Sequence, residues 1–98
     1  MSSFRFEWDE RKGRANRGKH GVSFEEAQTV FFDEYAIEYD DPDHSGEEER
    51  FLMLGWSAKL RVLVVCHCIR SAPRTIRIIS ARRATRQERE AYERRLPS

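Results

Sequence analysis

Hydrophobic and polar residues alternate along this chain with two periods, and the switches between them mark out the elements. Residues 4–8 (Phe-Arg-Phe-Glu-Trp) alternate apolar and charged side chains, the period of a half-buried edge strand. Asp9 then caps a helix over 10–19 in which Ala15 is the one clear apolar residue, so that helix is expected to lie mostly exposed, ending before Gly21. Ser23 with Glu26 three residues on reads as a capping box, and Val22 with Ala27 as a hydrophobic staple. Phe24, Ala27, Val30 and Phe31 share one face of the helix that follows. A strand is predicted at 35–39 and a loop at 40–46, where Pro42 and Gly46 break any regular element. Residues 49–54 and 60–69 form a hairpin joined through 55–59. The second arm is apolar on both faces, the mark of a central, covered strand. A turn over 70–74 leads into the isoleucine-rich strand that begins at Thr75. Thr85 and Glu88 make a second capping box for a final helix held by Ala91, Tyr92 and Leu96. The order β-α-α-β-β-β-β-α predicts one α+β domain with a mainly antiparallel sheet.

Composition narrows the setting. Hydrophobic residues make up 39% and charged residues 36% of the 98, and no apolar run is long enough to span a bilayer. The N-terminus lacks the pattern of a signal peptide, which leaves the cytoplasm as the expected location, and Cys66 and Cys68 fit packed, reduced thiols there. The net charge of +1 conceals three blocks: +3 over 1–20, −11 over 21–49 and +9 over 50–98. Blocks this unequal favour separate basic and acidic faces, and a basic face suits a phosphate-bearing partner.

Candidate chemistry gathers on the arginines. Arg61, Arg77, Arg82 and Arg83 lie on or just past the two apolar strands, so hairpin geometry is able to bring some of them together around a phosphate. Solvated strand ends are the plainer reading of each one alone. Arginine stays protonated, so a proton carrier is needed as well. Glu49 and His67 are the candidates, with Lys19 and His20 as possible partners. His67, flanked by Cys66 and Cys68, also fits a packed core residue, and Glu49 fits a cross-strand ion pair. The Cys-His-Cys spacing sends the cysteines to one face and the histidine to the other, and no second cluster completes a zinc site, so no metal or other cofactor is expected. Arg14 on the basic first helix, Arg74 before the last strand, and Tyr92 or Trp56 as stacking aromatics are candidate RNA contacts.

Four segments, Phe6-Glu7-Trp8-Asp9, Lys19-His20-Gly21-Val22-Ser23-Phe24-Glu25-Glu26-Ala27, Glu48-Glu49-Arg50-Phe51 and the stretch from Ile76 to Thr85, together resemble the BrnT family of bacterial type II toxins. The resemblance covers nearly the whole chain. It implies a small endoribonuclease with a RelE-like fold, acting by attack of a ribose 2′-hydroxyl on the adjacent phosphate without a metal. It also implies neutralisation by a BrnA-like antitoxin, whose ribbon-helix-helix domain carries the only contact with operator DNA. By resemblance, Lys19, Glu49, Arg61, Arg82 and Arg83 fall on charged positions associated with toxicity, to which the strand argument adds Arg77 and His67. The rival expectation is a non-catalytic module that binds RNA or protein through the same basic surface.

Overall fold

The computed structural model describes residues 4–42, 49–70 and 74–97. The centres of the predicted 40–46 loop and 70–74 turn therefore lie outside the described residues. The elements run β1 (Arg5–Glu7), α1 (Glu10–His20), α2 (Phe24–Thr29) with a 3-10 turn (Val30–Phe32), β2 (Ile37–Asp40), β3 (Phe51–Trp56), β4 (Val62–Arg70), β5 (Thr75–Arg83) and α3 (Arg86–Glu93). The predicted order holds. Strand boundaries move by up to two residues, which shifts the β3–β4 connection to 57–61.

The five strands lie in the order β1-β5-β4-β3-β2, with β1 parallel to β5 and every other pair antiparallel. The doubly apolar segment, β4, is the central strand. Helices α1 and α2 cover one face, over a core of Val22, Phe24, Ala27, Val30, Leu63, Val65, Ile78 and Ala81. On the other face α3 covers only one corner, where Tyr92 packs on Leu54, Val62 and Val64. Beyond α3 no described helix lies over that open face, yet Val62 to Cys68 of β4 are all buried, as its doubly apolar pattern predicts. No described helix is long and apolar enough to cross a membrane.

Local signals set the helix ends. Asp9 accepts from the backbone N–H of Arg11 and Lys12, Gly21 takes the left-handed position at φ 70°, and both halves of the Thr85–Glu88 capping box are formed. At α2 the expected box is only half made. Ser23 accepts from the Glu26 N–H, but the Glu26 side chain turns inward instead.

The first helix differs from expectation in what it buries. Ala15 is exposed, and Asn16 is the buried residue. Its Nδ2 donates to Val22 O (2.9 Å) and Ala81 O (2.8 Å), while its Oδ1 accepts from Ala81 N (3.1 Å). β1 pairs only with residues 75–77 of β5, so Asn16 supplies the hydrogen bonds that the rest of that edge lacks.

Candidate active site

One irregularity decides what the sheet presents. Cys66 pairs with Ser80 but His67 pairs with Ile78, so Ile79 is an extra residue on β5. Ile78 and Ala81, three apart, therefore both reach the helix-side core. Strict alternation from Ile78 would send Arg82 under the helices. The bulge turns it to the open face instead, and sends Arg83 the other way.

On the open face, Arg82 lines a depression of about 250 Å³ together with His20, Asp41, Arg50, Cys66 and Ser80. Three cationic or proton-bearing nitrogen groups thus converge from three elements: the C-terminus of α1, the threshold of β3 and the exit of β5. Arg82 is held in a fork, its Nη1 and Nη2 donating to the two Glu88 oxygens at 2.8 and 2.9 Å, with Nη1 also donating to Arg83 O at 3.3 Å. Glu88 in turn accepts from Thr85 N, so the capping box at α3 fixes the guanidinium. The Arg82 hydrogen bond holds the Glu88 carboxyl down at about 2. A guanidinium carries five N–H donors, so some remain for a ligand oxygen. Tyr39 stands beside this pair, close enough to feel both charges, and burial pushes its hydroxyl above the usual range. The Cys66 thiol donates to Asp41 (3.5 Å), and burial together with that carboxylate raises it to about 11, which leaves it protonated and a poor nucleophile.

Of the four arginines, Arg61 and Arg83 share a groove at the β3–β4 end of the sheet, while Arg82 alone lines this depression and Arg77 lies apart at the β1 edge. Arg61 belongs to a different network: its Nε donates to Glu26 Oε2 (3.0 Å), a second nitrogen reaches Glu26 Oε1, and Gly21 O accepts from it at 3.1 Å. Burial pushes the Glu26 carboxyl up, but Arg61 and the Ser57 hydroxyl outweigh it and keep it ionised. Arg77 is engaged by Glu7 (2.9 Å) at the β1 edge. Arg83 lines a separate groove at the β3–β4 end of the sheet. His67 is fully buried on the helix side, its ring edge-on to Phe31 (centroids 4.8 Å), with Nδ1 near Val65 O and Nε2 3.1 Å from Glu38. It packs rather than meeting the depression. Cys66 and His67 do project to opposite sides of the sheet, as alternation predicts.

Lys19 is exposed beside His20 but does not line the depression, and Glu49 is exposed just outside it. Arg14 lies exposed on α1 near Trp8 and Glu25, and Arg74 is exposed at the start of β5. Tyr92 is 2% exposed and its hydroxyl donates to Asp33, so its ring offers no face to a base. Sequence reasoning gave no site role to Arg50 and Tyr39, and only a partner's role to His20. Two of these carried a readable signal: Arg50 and Leu52 share a face by strand alternation, and His20 ends a helix next to a glycine.

A model of the family described as "Ribonuclease toxin, BrnT, of type II toxin-antitoxin system" matches residues 8–88. No curated protein matches the chain. Among solved structures, the 1.1 Å crystal structure of the Brucella abortus ribonuclease toxin BrnT is similar with a TM-score of 0.64 at 21% identity, covering 86% of this chain and 100% of that one. That likeness concerns the fold: the same three-helix, five-stranded α+β arrangement. The family match spans β2 to β5 whole, with the depression and the Arg82–Glu88 fork inside it, and the chain belongs to the BrnT family of ribonuclease toxins of type II toxin-antitoxin systems.

Proposed function

We propose that RNA is cleaved on the open face of the sheet, with the scissile phosphate seated between Arg50 and Arg82. The observation that carries this reading is the depression itself, where His20, Arg50 and Arg82 meet without a helix above them. The ribose 2′-hydroxyl attacks the adjacent phosphorus, the 5′-oxygen leaves, and the products carry a 2′,3′-cyclic phosphate or its hydrolysis product. Negative charge growing on the non-bridging oxygens is met by two guanidiniums. Removal of one such donor costs about 10²- to 10³-fold in rate. Glu88 orients Arg82 and offsets part of its charge, which leaves Arg50 as the cation that attracts the phosphate.

His20 is the proton carrier in this reading, since imidazole both takes and gives a proton near neutrality. Lys19, exposed beside His20, serves as an approach charge for the RNA backbone, and Glu49, next to Arg50 in the chain, is the second candidate for moving the proton. Arg77, engaged with Glu7, and Arg14 and Arg74, both exposed, extend the RNA-facing surface. Arg61, His67 and Tyr92 act through the fold alone. No metal takes part: the ribose 2′-hydroxyl is the nucleophile, and both proton transfers fall to side chains. A BrnA-like antitoxin with a ribbon-helix-helix domain is the proposed neutralising partner. It covers the depression and alone reaches operator DNA.

His20→Ala, Arg50→Ala and Arg82→Ala test the site. Each is expected to abolish growth arrest and RNA cleavage in protein that stays folded, and a 2′-deoxy nucleotide at the cut is expected to block cleavage by the native chain. Undiminished cleavage by all three variants would refute the site. Salt-dependent RNA retention without new RNA ends in the native chain would favour a binding module instead.

A further inference from the structure

We propose that the groove at the β3–β4 end of the sheet binds an unpaired nucleotide of the RNA beside the cut, with its base on Trp56 and its phosphate on Arg83 and Arg89. The proposal rests on the reading that RNA is cut on the open face, and adds a second contact outside that site.

The groove measures about 270 Å³ and is lined by Trp56, Leu60, Val62, Arg83, Arg89 and Glu93, along with Arg61 and Ala84. Its size falls below the ~300–1,000 Å³ of drug-sized pockets and suits one planar ring. Its floor, Val62 and Ala84, is apolar, and the Trp56 indole is 39% exposed over it. Leu60 beside it is 72% exposed and sits at φ 62°. Glycine adopts that left-handed conformation freely, whereas the leucine Cβ crowds its own backbone there. The turn enforces it: Leu60 N donates to Ser57 O (2.9 Å) and Ser57 N to Arg61 O (2.8 Å). An exposed apolar side chain thus stands next to a part-exposed indole, and an aromatic face beside cationic side chains is what a base stacks on.

The charges are suited to a phosphate. Arg61 is neutralised by buried Glu26, whereas Arg83 and Arg89 form no ion pair with any described residue. The Glu93 carboxylate at the groove's edge opposes an anion, so the site is poised rather than saturated. Arg82 and Arg83 are consecutive and leave β5 on opposite sides. One RNA strand crossing the exit of β5 meets a guanidinium of each site in turn.

Trp8→Phe leaves Trp56 as the single tryptophan and gives the readout. Titration with a 2′-O-methyl oligoribonucleotide, which lacks the attacking hydroxyl, is expected to quench Trp56 fluorescence to saturation. Anisotropy of a labelled form of the same oligomer should show Trp56→Ala weakening binding tenfold or more and Trp56→Phe restoring most of it, since stacking is worth ~1–3 kcal/mol per base. Arg83→Ala with Arg89→Ala should lower the slope of log K against log salt by about 0.7, the value for the loss of one neutralised phosphate on a single strand. Glu93→Gln should tighten binding. His20→Ala and Arg50→Ala should leave the quenching intact while cleavage is lost. If those two variants still cleave, the open-face reading fails by itself. Absence of quenching, or equal affinity of folded Trp56→Ala, overturns the groove. So does a Trp56→Ala defect confined to a protein partner, which would make the groove a docking surface for an apolar peptide segment.

Discussion

Replacing Arg61 with alanine separates a catalytic arginine from a structural one. In the folded chain the Glu26 side chain is 1% exposed, and Arg61, itself 26% exposed, supplies its charge partner. Ser57 Oγ adds a hydrogen bond to Glu26 Oε2. Removing the guanidinium leaves a carboxylate in the core with one neutral donor. Loss of one member of a buried pair costs about 3–5 kcal/mol, and the partial exposure of Arg61, which lets water into the vacated space, points to the lower end, about 3 kcal/mol. Against a total stability of about 5–15 kcal/mol this is a large fraction, and for a domain of this size it lowers Tm by roughly 12–24 °C.

The pH dependence gives an independent check. In the native chain Glu26 is held below its usual value, so its contribution is full above the unfolded carboxylate range and is lost as pH falls through the folded value. In Arg61→Ala burial outweighs the remaining Ser57 hydrogen bond and raises the carboxyl, so the penalty shrinks as pH falls and the carboxyl takes up a proton. The gap to the native chain in urea midpoints is expected to narrow between pH 7 and pH 5. Pairing Glu26→Gln with Arg61→Met removes both charges and should recover more than half of the loss. An Arg61→Ala protein within about 1 kcal/mol of the native chain, folded yet unable to cleave RNA, would refute this account and return Arg61 to the catalytic set.

Three further outcomes follow from particular contacts. A Cβ at Gly55 would lie 2.9 Å from Ala36 Cβ and 3.0 Å from Asp33 Oδ2, so Gly55→Ala should cost about 1–3 kcal/mol of overpacking in chemical denaturation. Asn16→Ala strips the β5 edge of two hydrogen bonds and Val22 O of a third and should cost about 2 kcal/mol, with amide exchange accelerating first at Ala81; unchanged exchange there would contradict the edge-capping role. The Glu88 carboxyl should titrate by NMR at about 2 in the native chain and move up toward 4.5 in Arg82→Ala, and the stability the pair provides should persist above the unfolded value and fade as pH drops toward 2.

The elements could be read from the order of the residues alone, because their causes are local. Asp9, Ser23 and Thr85 act on N–H groups two or three residues away, Gly21 needs no partner to turn left-handed, and the doubly apolar run of β4 marks a central strand in any arrangement of its neighbours. The family resemblance was legible for the same reason. The candidate site was legible only in part: Arg82 and its capping box lie within seven residues of each other and could be read as a unit. What the tertiary structure decided were the contacts between distant segments. Arg61 meets Glu26, 35 residues away, and is held in an ion pair with it. His67 meets Phe31 and Glu38 and enters the core, and Tyr92 meets Asp33, 59 residues away, and loses its free face. A single extra residue at Ile79, invisible to strand periodicity, turns Arg82 to the open face and parts it from Arg83. Alternation fixes neighbours relative to one another, but only the packed register says which side of the sheet they share, and with it which arginines can reach one phosphate.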